Sequence, residues 1–288
     1  MPTFETPGKV SLRVKLASGR VVVTTMDEPR TSVDLVPQGR GGEDRVETVV
    51  VRADEHRGGH VITIEERDRI RWGPIRITWG GDVEVRVACP PGADLDLSGG
   101  STDLRVEGSL NDVSARTASG DLRLDTVTGE LQLKTASGDV SLGAAENEGQ
   151  VVTVSGDVDI GRAERPLTVR SVSGDVELGE LRSALTVSST SGDVELKDVE
   201  AGDVRIQTIS GDAKIAVARG TRVWVDATTV SGHLQSELGL SDETPAAAAK
   251  PSVEGDASAD TGDEVVPLQV KTVSGDVSIV RAARSFAG

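Results

Sequence analysis

From about Asp94 to the C-terminus, apolar residues recur in a frame of 18 positions. One column reads Leu122, Val140, Val158, Val176 and Val194, and two positions on comes Leu124, Leu142, Ile160, Leu178 and Leu196. Nine residues after the first column stand Leu131, Gly149, Leu167 and Leu185, followed by Leu133, Val151, Val169 and Val187. Val127, Ala145, Ala163, Leu181 and Val199 form a smaller column near the turns. Apolar residues two apart on a polar background predict short strands with one buried face. A single such unit cannot bury that face alone, so the units must stack. The pattern therefore predicts an all-β protein, a parallel β-solenoid with 18-residue coils of two nine-residue halves each. Coils spaced by about 4.8 Å would pair their backbones and set like residues above like. A triangular hexapeptide helix would need an apolar residue every six positions. Steps of six from Leu122 reach Thr128 and Lys134, so that fold fails.

Glycine punctuates the frame. Gly120, Gly138, Gly156, Gly174 and Gly192 stand at steps of 18, Gly211 follows after 19, Gly232 after 21 and Gly275 after 43. Serine precedes every one. Aspartate follows seven of the eight, as Asp121, Asp139, Asp157, Asp175, Asp193, Asp212 and Asp276, with His233 the exception. The expected role is structural: glycine supplies a positive φ, and the Ser and Asp side chains bond nearby amides. The alternative is a carboxylate column that binds calcium, as in nonapeptide β-rolls. Those rolls use a richer G-G-x-G-x-D pattern, which these turns lack.

Residues 1–92 are strand-rich but outside the 18-residue frame, and they are expected to form an N-terminal β cap over the first open edge. Residues 93–240 carry the coils. Residues 241–266, rich in Ala, Pro, Asp and Glu, read as an acidic flexible insertion. After it, VPLQVKTVSGDVSIV closely matches RPLTVRSVSGDVELG at 165–179, so residues 267–288 are expected to form the final coil and tail. Only RAARSFAG then remains to cap that edge.

Composition agrees with a repeat. The chain has 33 Gly, no Tyr, three Trp and two Phe, so its core must be aliphatic. A net charge of −16 argues against nucleic acid as a partner. The single cysteine, Cys89, excludes an intrachain disulfide, and it continues the alternation Val83, Val85, Val87 into the core. No signal-peptide pattern or bilayer-length apolar run is present, so a soluble, cytoplasmic protein without membrane insertion is expected. His56 and His60 have the spacing of a helical zinc pair, but HRGGH contains two glycines and reads as a loop. No catalytic set, metal site or cofactor motif stands out, and no enzymatic activity is expected. The best candidate contact surface is the segment RDRIRWGPIRITWGG. It brings Arg69, Arg71, Trp72, Arg76 and Trp79 into a Gly-Pro hairpin. Trp224, between Val223 and Val225, is expected to point outward.

The stretch DVEVRV-x-C-P-P-G-A, followed by repeated T-x-S-G-D-V-x-L, resembles the bacterial putative-adhesin family related to the toast-rack domains. The similarity covers roughly residues 80–288, with a weaker N-terminal match. It implies a β-strand-repeat scaffold of largely unknown function, with some relatives linked to envelope stress or antibiotic sensing. With no site chemistry competing, the leading expectation is a non-catalytic scaffold or protein-interaction module. A self-assembling, bactofilin-like filament is the alternative. A protein partner or self-association follows from either.

Overall fold

The computed structural model describes residues 2–56, 58–67, 82–238 and 265–282. Its first part comprises β1 (Thr3–Glu5), β2 (Lys9–Thr25), β3 (Arg30–Gln38), the short helix α1 (Gly42–Val46), β4 (Val49–His56), β5 (Gly59–Glu66), β6 (Asp82–Cys89) and β7 (Asp94–Leu110). The repeat follows as β8 (Val113–Ser119), β9 (Leu122–Val127), β10 (Leu131–Ser137), β11 (Val140–Ala145), β12 (Gly149–Val152) and β13 (Val158–Ala163). It continues through β14 (Leu167–Arg170), β15 (Val176–Leu181), β16 (Leu185–Ser188), β17 (Val194–Val199), β18 (Val204–Gln207) and β19 (Ala213–Val217). The last strands are β20 (Arg222–Ser231), β21 (Leu234–Ser236), β22 (Val265–Ser274) and β23 (Val277–Arg281).

The predicted solenoid is the observed fold. Even-numbered strands from β8 to β18 pair in parallel as one ladder, and β9 to β19 pair as another. The register step is the sequence repeat: Leu131 pairs with Val113 and Gly149, and Leu142 with Leu124 and Ile160. Each inward column is buried along one continuous aliphatic core. An aliphatic side chain buried this fully contributes roughly 1.5–3 kcal/mol, so a coil gains most when neighbours cover both its sides.

A buried hydroxyl column runs beside the aliphatic ones. Thr117, Thr135, Thr153, Ser171, Ser189, Thr208 and Thr272 lie inside the corner before each Ser-Gly-Asp turn. The hydroxyls of Thr135, Thr153, Ser189 and Thr272 make no hydrogen bond to the protein. Their small volume suits the narrowing corner, and the repeat frame carries them there.

Both ends of the stack depart from chain order. At the C-terminal end, β18 pairs with β22 and β22 pairs with β20, while β19 pairs with β23 and β23 with β21. The coil that is last in sequence thus sits between its two predecessors, and among the described residues the edge of the stack belongs to β20 and β21 rather than to β22 and β23. Burial explains the choice. Val266, Leu268, Val270, Val277 and Ile279 are fully buried and profit from coils on both sides. In the outer coil, Val223, Val225 and Ala227 are only partly buried and Leu234 is exposed. At the N-terminal end, β2 pairs with β7 on one side and with β5 and β6 on the other. The expected N-terminal β cap is present as a small sheet, but residues 9–25 form an inner coil beneath it. β4 lies antiparallel on β5, β3 on β6 and β1 on β3, and these strands end the stack. Among the described residues no helix is long and apolar enough to cross a membrane.

Candidate functional site

The Ser-Gly-Asp turns hold the coils to one another. A Cβ on Gly138, Gly156, Gly174 or Gly192 would lie 2.2–2.3 Å from the carbonyl oxygen of the glycine one coil earlier. No side chain fits that spacing. Each aspartate acts across the gap between coils rather than within its own turn. The amide of Asp139 donates to Asp121 Oδ1 (3.1 Å), Asp157 to Asp139 (3.1 Å), Asp175 to Asp157 (2.9 Å) and Asp193 to Asp175 (2.8 Å). The ladder continues through Asp212 to Asp276, whose Oδ1 accepts the amide of His233 at 2.7 Å.

This geometry explains the exception at His233. Its coil is the edge of the described residues, and no further amide among them needs a carboxylate acceptor. The His233 ring instead lies over Asp276, with Nδ1 3.4 Å from Oδ1. The His233 amide bond, reinforced by its side chain, lowers the Asp276 carboxyl below its ordinary value. At the other end the run begins with Asp103, and Arg20 reaches it at 3.5 Å. Arg20 follows Ser18 and Gly19, which has φ +131°. The segment ASGR at 17–20 is thus a further copy of the turn, visible by comparison with ASGD at 118–121 and 136–139. The column begins and ends at basic residues. Among the described residues no group of three or more His, Cys, Asp or Glu converges as metal ligands.

The second ladder presents an acidic outer face whose charges are largely paired. Arg123 bonds Asp121 (2.8 Å), Lys214 bonds Glu195 (2.7 Å) and Lys197 bonds Glu177. Arg182 joins three coils by reaching Glu164 (3.0 Å), Glu180 (3.4 Å) and Glu200 (2.9 Å). Asp198, beside Glu200 and Glu180, is raised above the usual carboxylate range, first by burial and then by those charges. Asp94, at the N-terminal end of the first ladder, goes the other way. Burial opposes its ionisation, but hydrogen bonds from Asn111 and Lys9 outweigh it and hold the carboxyl low.

The first ladder presents a different face. Each of its strands turns three side chains outward, and stacking makes three rows. The middle row reads Lys15, Ser98, Arg116, Lys134, Val152, Arg170, Ser188, Gln207 and Lys271, from β2 to β22. It contains five cations and no carboxylate. The row nearest the turns is uncharged, and four of its apolar members stand well out: Val154 is 48% exposed, Val172 48%, Ile209 54% and Val273 49%. The third row runs Ser114, Gln132, Gln150, Thr168, Thr186, Arg205 and Gln269 from β8 to β22, with Arg13 and Asp96 on the flanking strands. Arg116 and Arg205 hydrogen-bond the amides of Gln132 and Gln269. None of these cations has a carboxylate partner among the described residues. Three hollows lie on the face. One, of about 330 Å³, lies among Arg13, Lys15, Asp96, Ser98 and Arg116, a second, of about 410 Å³, among Arg13, Asp94, Asp96, Asp112, Arg116 and Glu130, where carboxylates border the cations, and a third, of about 410 Å³, among Ser188, Gln207, Ile209, Lys271 and Val273.

This face is not among the contact surfaces expected from the sequence, where the turns carry the most repeated residues. The signal is there: the half-repeats 113–119, 131–137, 149–155, 167–173, 185–191, 204–210 and 268–274 contain no Asp or Glu. Of the candidate contact residues expected from the sequence, Arg69, Arg71, Trp72, Arg76 and Trp79 lie outside the described residues. Trp224 is 47% exposed on the outer side of the edge strand β20. Cys89 is buried, and burial pushes its thiol up to about 12.

Two solved structures are similar to this chain. A "putative adhesin" from Bacteroides fragilis is 13% identical, with a TM-score of 0.48 over 97% of this chain and 95% of that one. A "putative cell adhesion protein" from Clostridium sporogenes is 10% identical, with a TM-score of 0.23 over 96% and 93%. A comparison with curated proteins finds no match. The Toastrack DUF4097 family model matches residues 5–183 and again 147–280, which spans the N-terminal coils, the repeat and the intercalated last coil. The chain belongs to the Toastrack DUF4097 family.

Proposed function

We propose that this protein is a non-catalytic binding module that holds a macromolecular partner on the outer face of the first ladder. One observation carries the reading. In a chain with a net charge of −16, seven consecutive strands of one face show no carboxylate, and their cations have no carboxylate partner among the described residues. Lys and Arg stems held on a rigid ladder lose little further freedom when a partner arrives, which lowers the cost of binding. The exposed valine and isoleucine row beside them offers apolar area to the same partner.

The test is site-specific photo-crosslinking in the native cell, with the crosslinker at Thr168 on the first face or at Ser141 on the second. Discrete adducts from Thr168 and none from Ser141 are expected. Adducts from neither position, or equally from both, overturn the reading.

Self-association has its own observation. The edge coil exposes Trp224, Val230 at 78% and Leu234 at 49%. The antiparallel strands β1, β3 and β4 end the opposite side of the stack, so edge pairing favours a closed dimer over a bactofilin-like filament. Sedimentation velocity across a concentration series separates a dimer from a monomer and from open polymers.

A further inference from the structure

The chemistry of the first face restricts what can lie on it. Resting on the proposal of a binding face, we infer that its partner is an acidic polypeptide segment, extended along the stack with alternating carboxylate and apolar side chains. Two neighbouring rows carry the inference. The middle row offers Arg116, Lys134, Arg170 and Lys271 with no carboxylate beside them in the row, Lys15 at its end lies next to Glu65, and the row nearest the turns offers Val154, Val172, Ile209 and Val273. From β2 to β22 there are eight strand spacings, or about 38 Å at about 4.8 Å each. An extended chain at about 3.3 Å per residue covers that span with about 12 residues. Same-side residues of such a chain recur at about 6.7 Å rather than 4.8 Å. The long, flexible stems of Lys and Arg absorb the mismatch, whereas a rigid acceptor would not.

Other polyanions fit less well. A sugar chain or a single-stranded nucleic acid is held on aromatic platforms, and the three rows contain no aromatic residue. A bilayer is gripped by large side chains such as Trp, Phe and Leu, whereas the exposed apolar members here are short and β-branched. A polypeptide alone among these supplies charge and compact apolar groups on alternate positions.

The experiment uses the full chain and a fluorescent peptide of about 12 residues alternating Glu and Val, with binding followed by anisotropy at two salt concentrations. Saturable binding that weakens with salt is expected. Lys134→Glu/Arg170→Glu should weaken it by about tenfold or more with an unchanged melting temperature. Arg219→Glu, an exposed cation off this face, should not. Val172→Ser/Ile209→Ser should weaken it while leaving its salt dependence intact. No binding to the wild type, or equal loss in the Arg219→Glu control, overturns the inference. So does equal or tighter binding of poly-glutamate, heparin, an oligonucleotide or vesicles containing phosphatidylserine, since the face then reads charge alone or another polymer. If the peptide fails while crosslinking at Thr168 still gives discrete adducts, the binding face stands and only the partner class falls.

Discussion

The two outer faces are built on the same coils, at the same pitch, over one shared core, yet they treat charge in opposite ways. On the second face, carboxylates face cations in the same coil or one coil away, and Arg182 alone ties Glu164, Glu180 and Glu200 together. On the first face, Lys134 and Arg170 have no such partner among the described residues: Lys134 lies between Arg116 and Val152, and Arg170 between Val152 and Ser188. A parallel ladder brings like positions into register, so a repeated charge would repel its own copies by about 1 kcal/mol per pair in water. The second face sets Asp159, Glu177 and Glu195 one above another and relieves them with lysines, Lys197 on Glu177 and Lys214 on Glu195. The first sets Arg116 directly beside Lys134 but separates that pair from Arg170 and Lys271 with neutral residues, which limits repulsion without neutralising the charges. One solution spends charge on the fold, and the other keeps it for contact.

The comparison can be broken at its base by disturbing what both faces share. Gly192 has φ +135°, and a Cβ there meets the Gly174 carbonyl oxygen at 2.3 Å. Gly192→Ala should destabilise the protein by about 3 kcal/mol, from left-handed strain plus a forced separation of coils. Chemical denaturation would measure it, and a change under about 1 kcal/mol would mean that the turn stack yields easily.

A smaller effect distinguishes the interior of the aspartate ladder from its end. Asp157→Ala removes the acceptor of the Asp175 amide and should cost about 1 kcal/mol, with Asp157→Asn recovering part of it. His233→Ala removes no acceptor from a following coil and should cost less. Equal losses at the two positions would contradict the assignment of His233 to the edge.

The smallest effect compares the faces directly. Arg182→Ala should lower the melting temperature slightly at low salt and hardly at all at high salt, because its three partners are screened once ions are abundant. Arg170→Ala should leave the melting temperature unchanged at either salt, having no internal partner to lose. A salt-dependent loss at Arg170 would reveal a counter-charge on the first face and weaken the contrast between the two faces.

Much of this was legible in the sequence because the signal was periodic. Leu122, Val140 and Val158 announced a buried column, and the strand pairing placed them one above another without a change of register. The turn glycines were equally plain. The reason for their aspartates was not, since a carboxylate bonding the amide 18 residues on looks, in a linear chain, like one serving its own turn. The hydroxyl column was written out as the T of T-x-S-G-D, but its burial depended on how the corner closes. The basic face was present as seven half-repeats without Asp or Glu, but an absence catches the eye only once those positions are known to share a surface.

The sequence by itself determined the repeat length, the strands, the inward columns and therefore the solenoid, because period and burial are local properties multiplied by copies. Tertiary structure alone decided the order of coils at both ends. Strand pairing depends on which neighbours bury the most apolar surface, not on which come next in the chain. So β22 and β23, with a full set of buried aliphatics, displaced β20 and β21 to the edge, and β2 was drawn between β7 and the β5–β6 coil. The same folding step sorted the outward residues into one face that neutralises itself and one that does not.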